Sequence, residues 1–405
     1  MQIPPVFVAA KASPKQASVQ LSMQPPSASS PSSSQAAAAV DYTSPAPPIA
    51  WQAIKDANGA LVGHEIFNRS RVASAHTMDS DLALAHAVLS HVEPAKLLDN
   101  GLLFLNTTFE SLRGAHLDLL PANQVVLEIP SLGHAASSEA EARRPALEAL
   151  RAKGFALAFN HSVLDSSYAP WHDLVNYLKI DFSVLTAERA VLMIQWARRI
   201  PGATVVADKI ESTAQLQLAQ ESKVDLLQGY AVSRPEPVPA RVVLPSLTEV
   251  AALSAALNNQ ADTASLAQLL QRHPALSFNL LRMARTQSVE RKASYTSMEQ
   301  LIAAYPADHL RAWETLLQAV ATKNDPHPEC HQIYVDRCTQ LVAEAQTLWP
   351  DVPVDSLRLI ANALLLGLVL DLNVEQSAQQ LLPTALAEPV LALAVQWQEL
   401  LKSFH

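Results

Sequence analysis

Seven polar residues stand at the ends of short apolar runs: Glu65, Asn106, Glu128, Asn160, Asp181, Asp208 and Gln228. Each carries a side-chain oxygen, and oxygens gathered in one place suit hard divalent cations such as Mg²⁺ or Mn²⁺. One or two polar residues follow strands simply because loops begin there. Seven, all Asp, Glu, Asn or Gln, point to a real or ancestral site. His161 follows Asn160 and has two readings. It is a metal ligand together with Glu128 and Asp181, or a neutral imidazole filling space and bonding a neighbouring carboxylate. No His or Cys partner lies beside it in sequence, which favours the second. His327, Cys330, His331 and Cys338 are spaced His-x2-Cys-His-x6-Cys, which matches no structural zinc pattern, so a reduced core cysteine is expected. Arg282, Arg285, Arg291 and Lys292 form a basic cluster without interleaved aromatics. A solvated helix face is expected there rather than a nucleic-acid surface.

For the seven oxygens to meet, the runs that precede them must be neighbouring strands of one sheet. Strands are expected over 51–55, 61–67, 102–105, 124–129, 155–159, 177–180, 204–207 and 224–227, with Asn58-Gly59 turning the first pair into a hairpin. Amphipathic stretches such as 81–92 and 139–152 lie between several of them. Alternating strands and helices predict a parallel barrel, whose strand C-termini share one mouth. After Val243 only helical periodicity remains, over 247–258, 265–272, 276–285, 297–304, 310–321, 331–348, 356–370 and 387–403. Breaks are expected at Pro274, Pro306, Pro326, Pro328, Pro350 and Pro353, and residues 235–239 (Pro-Glu-Pro-Val-Pro) read as the joint between the two halves.

The first 48 of the 405 residues hold nine of the 27 prolines and ten serines. Such a stretch cannot repay chain entropy by burial, so residues 1–48 are expected to be a disordered tail, followed by a barrel over 49–242 and a helical domain over 243–405. A net charge of −9 argues against general affinity for nucleic acid or anionic membranes. No apolar run approaches the ~18 residues a membrane span needs, and the start lacks a basic n-region, so a cytoplasmic protein is expected.

The strand-end residues sit in recognisable motifs. Gly63-His64-Glu65-Ile66-Phe67-Asn68-Arg69 resembles the Gly-Tyr-Glu-x-Leu-x-Arg signature of EAL domains, the cyclic-di-GMP phosphodiesterases. Leu105-Asn106, Leu127-Glu128-Ile129, Lys179-Ile180-Asp181, residues Ala207 to Ser212 and Gln228-Gly229-Tyr230 resemble their later motifs, in order. The resemblance implies a TIM-like barrel in which two metal ions position water for attack on a phosphodiester. Carried over, Glu65, Asn106 and Glu128 would be metal ligands, and Asp181 and Glu211 would serve the second metal. Lys179 would help position the water, Gln228 would support the site, and Arg69 would contact phosphate. The helical half, from Leu244-Pro245-Ser246-Leu247 through 273–282 to Gly367, resembles HDOD domains, all-α output modules related to the HD phosphohydrolases. No His-Asp dyad stands where a metal-binding relative would need one.

The departures shape the expected function. The family's Asp-Asp-Phe-Gly-x-Gly segment is here Asn160-His161-Ser162-Val163-Leu164-Asp165, which removes two carboxylates and both glycines. Lys209 replaces a glycine, and Asp208 is one carbon shorter than the family's glutamate. Two divalent ions a few ångströms apart need several carboxylates to offset their repulsion. The expectation is a catalytically inactive α/β TIM-like barrel followed by an all-α HDOD domain, without a metal cofactor. It would act by protein–protein contact in cyclic-di-GMP-linked or two-component signalling, with a histidine kinase or cyclase as the kind of partner. The alternatives are a divergent cyclic-di-GMP phosphodiesterase and a non-hydrolysing cyclic-di-GMP receptor.

Overall fold

The computed structural model describes residues 49–68, 77–90, 101–132, 137–237, 243–291, 295, 297–323 and 328–369. The expected tail, Arg69, His327, Lys292 and the helix expected over 387–403 lie outside them, as do the side chains of Arg285, Arg291, Cys330 and His331.

Eight strands close a barrel. Strands β1 (Ile49–Asp56) and β2 (Leu61–Asn68) form an antiparallel hairpin. Its turn is held by Asp56 Oδ1, which accepts from the amides of Asn58 and Ala60, and Gly59 takes a φ of 84° there. Strands β3 (Leu102–Asn106), β4 (Val125–Ile129), β5 (Ala156–Asn160), β6 (Tyr177–Asp181), β7 (Thr204–Asp208) and β8 (Leu226–Leu227) follow β2 in parallel. Strand β1 then closes the ring by pairing antiparallel with β8 as well as β2. The expected strands are all present, although β8 keeps only two residues. The Pro-rich joint is not purely a linker: Glu236–Pro237 forms a ninth strand, β9, against Ala50 and Trp51. Proline at an edge costs no ladder bond, which is why this segment can pair at all.

Alternation sorts each strand's residues between two cores. Ile54, Phe104, Val126, Ala158, Val206 and Leu226 fill the barrel interior. Their neighbours Leu103, Leu105, Leu127, Leu157, Leu178 and Val205 pack outward in the main core. Gly63 allows β2 and β3 to approach, because a Cβ at that position would lie 2.2 Å from the Leu102 carbonyl oxygen.

Helices Met78–Leu89, Ser137–Ala152, Ala187–Ala197 and Thr213–Glu221 cover the outside. Thr77 and Ser212 begin two of them with capping boxes, satisfying amides that have no partner within the helix. The C-terminal part is helical: Leu247–Asn258, Thr263–Arg272, Pro274–Arg291, Met298–Ala303, Ala307–Val320, Pro328–Leu348 and Val354–Val369. Pro274 and Pro328 do not break helices but start them, a position where the missing N–H has no intrahelical partner to lose. Arg282, expected on a solvated face, is fully buried, with its guanidinium carbon 5.2 Å from the Phe278 ring centroid. Cys338 is buried as expected, and burial pushes its thiol up to about 11. The two halves share one continuous hydrophobic core, with the Ala307–Val320 helix packed on Met78–Leu89 and on the 3-10 segment Ala115–Leu119.

Candidate functional site at the barrel mouth

Two residues beyond each interior apolar residue, the alternation brings a polar one to the same side. Phe104 is followed by Asn106, Val126 by Glu128, Ala158 by Asn160, Val206 by Asp208 and Leu226 by Gln228. Parallel register then sets Asn106 beside Glu128, Asn160 beside Lys179, and Asp181 beside Asp208. These residues line a cavity of about 510 Å³ together with Gln52, Glu65, Lys209, Glu211 and Tyr230. That size accommodates a small-molecule ligand.

The centre of the cavity is an ammonium. Lys179, 5 % exposed, donates to Glu65 Oε2 at 2.8 Å and to Glu128 Oε1 at 2.7 Å, with Asp208 Oδ2 at 3.7 Å. Glu65 also accepts from Asn106 Nδ2 at 2.7 Å and Gln228 Nε2 at 2.6 Å. Gln228 is held by the chain after it: Gly229 has φ 142°, and a Cβ there would lie 2.2 Å from the Ile210 nitrogen.

Charge is unequally shared in this cluster. Burial raises the Glu65 carboxyl, but Lys179, Gln228 and Asn106 outweigh it and hold the group below its ordinary value. Glu128 is pushed up to about 8, by burial first and then by the nearby Glu65 carboxylate. Burial, with Glu65 adding to it, also raises Asp208, against the pull of Lys179. Burial would lower Lys179, yet Glu128, Glu65 and Asp208 keep it well above the ordinary lysine value. One buried cation thus serves three acidic side chains, and burial beside Glu65 favours the protonated form of Glu128.

On the other flank, Lys209 Nζ lies 2.6 Å from Asp181 Oδ2, while Asp181 Oδ1 accepts from the Ser183 amide at 2.9 Å. Burial raises Asp181, but Lys209 and Ser183 hold it below its ordinary value. Asn160 turns its amide into the following loop, where Oδ1 accepts from the Ser162 amide at 2.9 Å and from its hydroxyl, and Nδ2 donates to Ser131.

Acidic and amide oxygens on successive strand ends, around one buried lysine at a barrel mouth, decide the assignment. Residues 50–235 are an EAL domain, matching the family model of that name. A relative, the cyclic di-GMP phosphodiesterase CdgJ of Vibrio cholerae serotype O1, is 23% identical over 341 residues, covering 82% of this chain and 78% of its own. The solved EAL enzyme Bd1971, with cAMP and cyclic-di-GMP bound, is 15% identical with a TM-score of 0.38. It aligns with 47% of this chain, which spans 62% of that one, less than two thirds. An EAL domain protein from Listeria monocytogenes EGD-e is 17% identical with a TM-score of 0.38, over 47% of this chain and 88% of that one.

The EAL domain brings together Glu65, Asn106, Glu128, Lys179, Asp181, Asp208, Glu211 and Gln228 around one cavity. Asn160 lines it too, with its amide engaged as described. His161 is not brought in. It starts the 3-10 turn His161–Leu164, outside the cavity lining, and burial lowers its pKa, which keeps the imidazole neutral. Its buried Nδ1 makes no hydrogen bond to the described residues. The sequence patterns missed Gln52, which contributes from β1 and donates to the Ser233 carbonyl at 2.9 Å. They also missed the reach of Lys209 across to Asp181. Gln52 carried no local signal, since it lies mid-strand; Lys209 was visible only as a substitution.

Two divalent ions would have to compete with pairings already made inside this cavity. Five carboxyl groups and two ammonium groups line the cavity, so the formal charge is −3 only with every carboxyl ionised, against the +4 of two such ions, and burial of Glu128 and Asp208 works against full ionisation. The carboxylates nearest each other already bind lysine nitrogen, and the Asn160 oxygen already caps its loop. Among the described residues, no group of three or more His, Cys, Asp or Glu side chains is arranged to hold a metal ion.

Proposed function

We propose that this EAL domain does not hydrolyse cyclic-di-GMP and that the protein is a signalling regulator acting through protein contacts. The observation that carries this reading is the end of β5. Asn160 stands where a metal site would require a carboxylate, and its oxygen is spent on the Ser162 amide and hydroxyl. A two-metal displacement needs anionic oxygens that bridge the ions. A neutral amide turned away, followed by a neutral imidazole outside the cavity, supplies none. The helical half is an HDOD domain in this reading, and its partner belongs to a cyclic-di-GMP or two-component pathway, with a histidine kinase or cyclase as the class. No described helix is long and apolar enough to cross a membrane.

The test is turnover of cyclic-di-GMP by the full chain with Mg²⁺ or Mn²⁺. No hydrolysis above that of Glu65→Ala is expected, and turnover above that control refutes the proposal. A second reading, a divergent phosphodiesterase, draws support from the name of the Vibrio relative and from the preserved cluster of Glu65, Asn106, Glu128 and Lys179. The paired substitution Asn160→Asp with His161→Asp separates the two. It is required for turnover in the first reading and dispensable in the second. Calorimetry with cyclic-di-GMP tests the receptor alternative, in which binding heat appears without hydrolysis.

A further inference from the structure

We infer that Lys209 is a tethered cation, which takes up Asp181 and so denies the cavity a second divalent ion. The inference deepens the inactive reading by naming the residue that guards one flank of the same site.

Three observations lead to it. Lys209 sits at φ 55°, in the left-handed region that residues with a side chain avoid. Its backbone is pinned there, because its amide donates to Asp208 Oδ1 at 2.8 Å and the next amide, of Ile210, donates to the Gln228 carbonyl at 3.0 Å. A side chain launched from this fixed point delivers its ammonium to Asp181 Oδ2 at 2.6 Å. An unfavoured conformation that persists next to a site is a pointer to function. Here it aims a positive charge into a cavity whose opposite flank already holds one, on Lys179.

The electrostatic consequence is direct. A dication drawn to Asp181 must displace the ammonium, whose side chain is 57 % exposed, or sit within a few ångströms of it, where the repulsion offsets much of what one carboxylate returns. The Glu65–Glu128 flank is not guarded in this way. Lys179 is shared there among three acidic groups, so negative charge is left over for one cation.

The test counts Mn²⁺ ions bound to the full-length protein by electron paramagnetic resonance and calorimetry, independently of any hydrolysis. Wild type is expected to hold one ion per chain at most. Lys209→Gly, which suits φ 55°, and Lys209→Asn, which also tolerates that region while removing the charge, are each expected to gain one further site. Relative to any second site in wild type, it binds at least about ten-fold tighter. Adding Asp181→Asn to either variant should abolish the gain, and Lys209→Arg should retain the wild-type isotherm. Two equal Mn²⁺ sites in wild type, or wild-type isotherms from both neutral variants with native circular dichroism, overturn the inference. Hydrolysis measured on the same samples is a separate readout: turnover by wild type would sink the inactive reading while leaving the ion count intact.

Discussion

His86 Nε2, on the helix that follows the barrel's first hairpin, lies 2.8 Å from Asn279 Oδ1 in the helical half, and both residues are buried. The direction of this bond is fixed by its neighbours. Both N–H groups of Asn279 are committed, to the Val243 carbonyl at 2.8 Å and the Ala275 carbonyl at 2.7 Å, so only its oxygen can face the imidazole. His86 therefore donates from Nε2, and burial lowers its pKa from 6.5 to about 4.

That depression makes the joint between the halves sensitive to acid. The folded state holds His86 neutral, so its contribution is complete above pH 6.5 and is lost as the pH falls from 6.5 toward 4. Thermal melts across that window should show His86→Gln losing less stability than wild type, a difference of about 1–3 kcal/mol between the ends of the range. Parallel curves would remove His86 as the cause.

Lys179 is the charge on which the barrel mouth depends. Lys179→Met leaves Glu65, Glu128 and Asp208 buried together without a cation. Breaking a buried pair from one side typically costs about 3–5 kcal/mol, so urea unfolding should show a loss of that order. Adding Glu128→Gln should recover part of it, since one of the opposed acids is then gone.

Glu128 carries the opposite pH signature to His86. Its folded pKa of about 8 lies above the ordinary 4.5, so the folded state retains a proton that the unfolded chain gives up. Stability from this group is complete below pH 4.5 and falls as the pH rises toward 8. Glu128→Gln fixes the uncharged form and keeps the oxygen that accepts from Lys179. Its unfolding free energy should exceed that of wild type at pH 8 by about 1–3 kcal/mol, with the gap closing near pH 4.5.

Gly63 should tolerate no side chain. In Gly63→Ala the new methyl would sit 2.2 Å from the Leu102 carbonyl oxygen, a backbone atom that cannot rotate aside. The β2–β3 pairing must shift, carrying Glu65 with it, and a loss of about 1–3 kcal/mol or more is expected in denaturant unfolding. An unchanged midpoint would show that the strands have slack.

The strand periods and strand-ending residues of this chain were local properties, and they sufficed for the barrel and for the EAL resemblance. Alternation alone says which side chains accompany Phe104, Val126 and Val206 into the interior, so Asn106, Glu128 and Asp208 could be grouped before any coordinates. The helix start after Ser246 was likewise local, because capping reaches only three residues, whereas the helix expected from 81 begins at Met78. The partners were not local. Lys209 meets Asp181 across 28 residues, His86 meets Asn279 across 193, and Gln52 reaches Ser233 across 181. Nor did sequence reveal that Arg282 is buried, since a basic cluster on a helix looks the same whether that face meets solvent or another helix. Tertiary structure decided which charges are paired and which are buried, because Coulomb and desolvation energies depend on distance through space and on exposure to water, and neither is set by position along the chain.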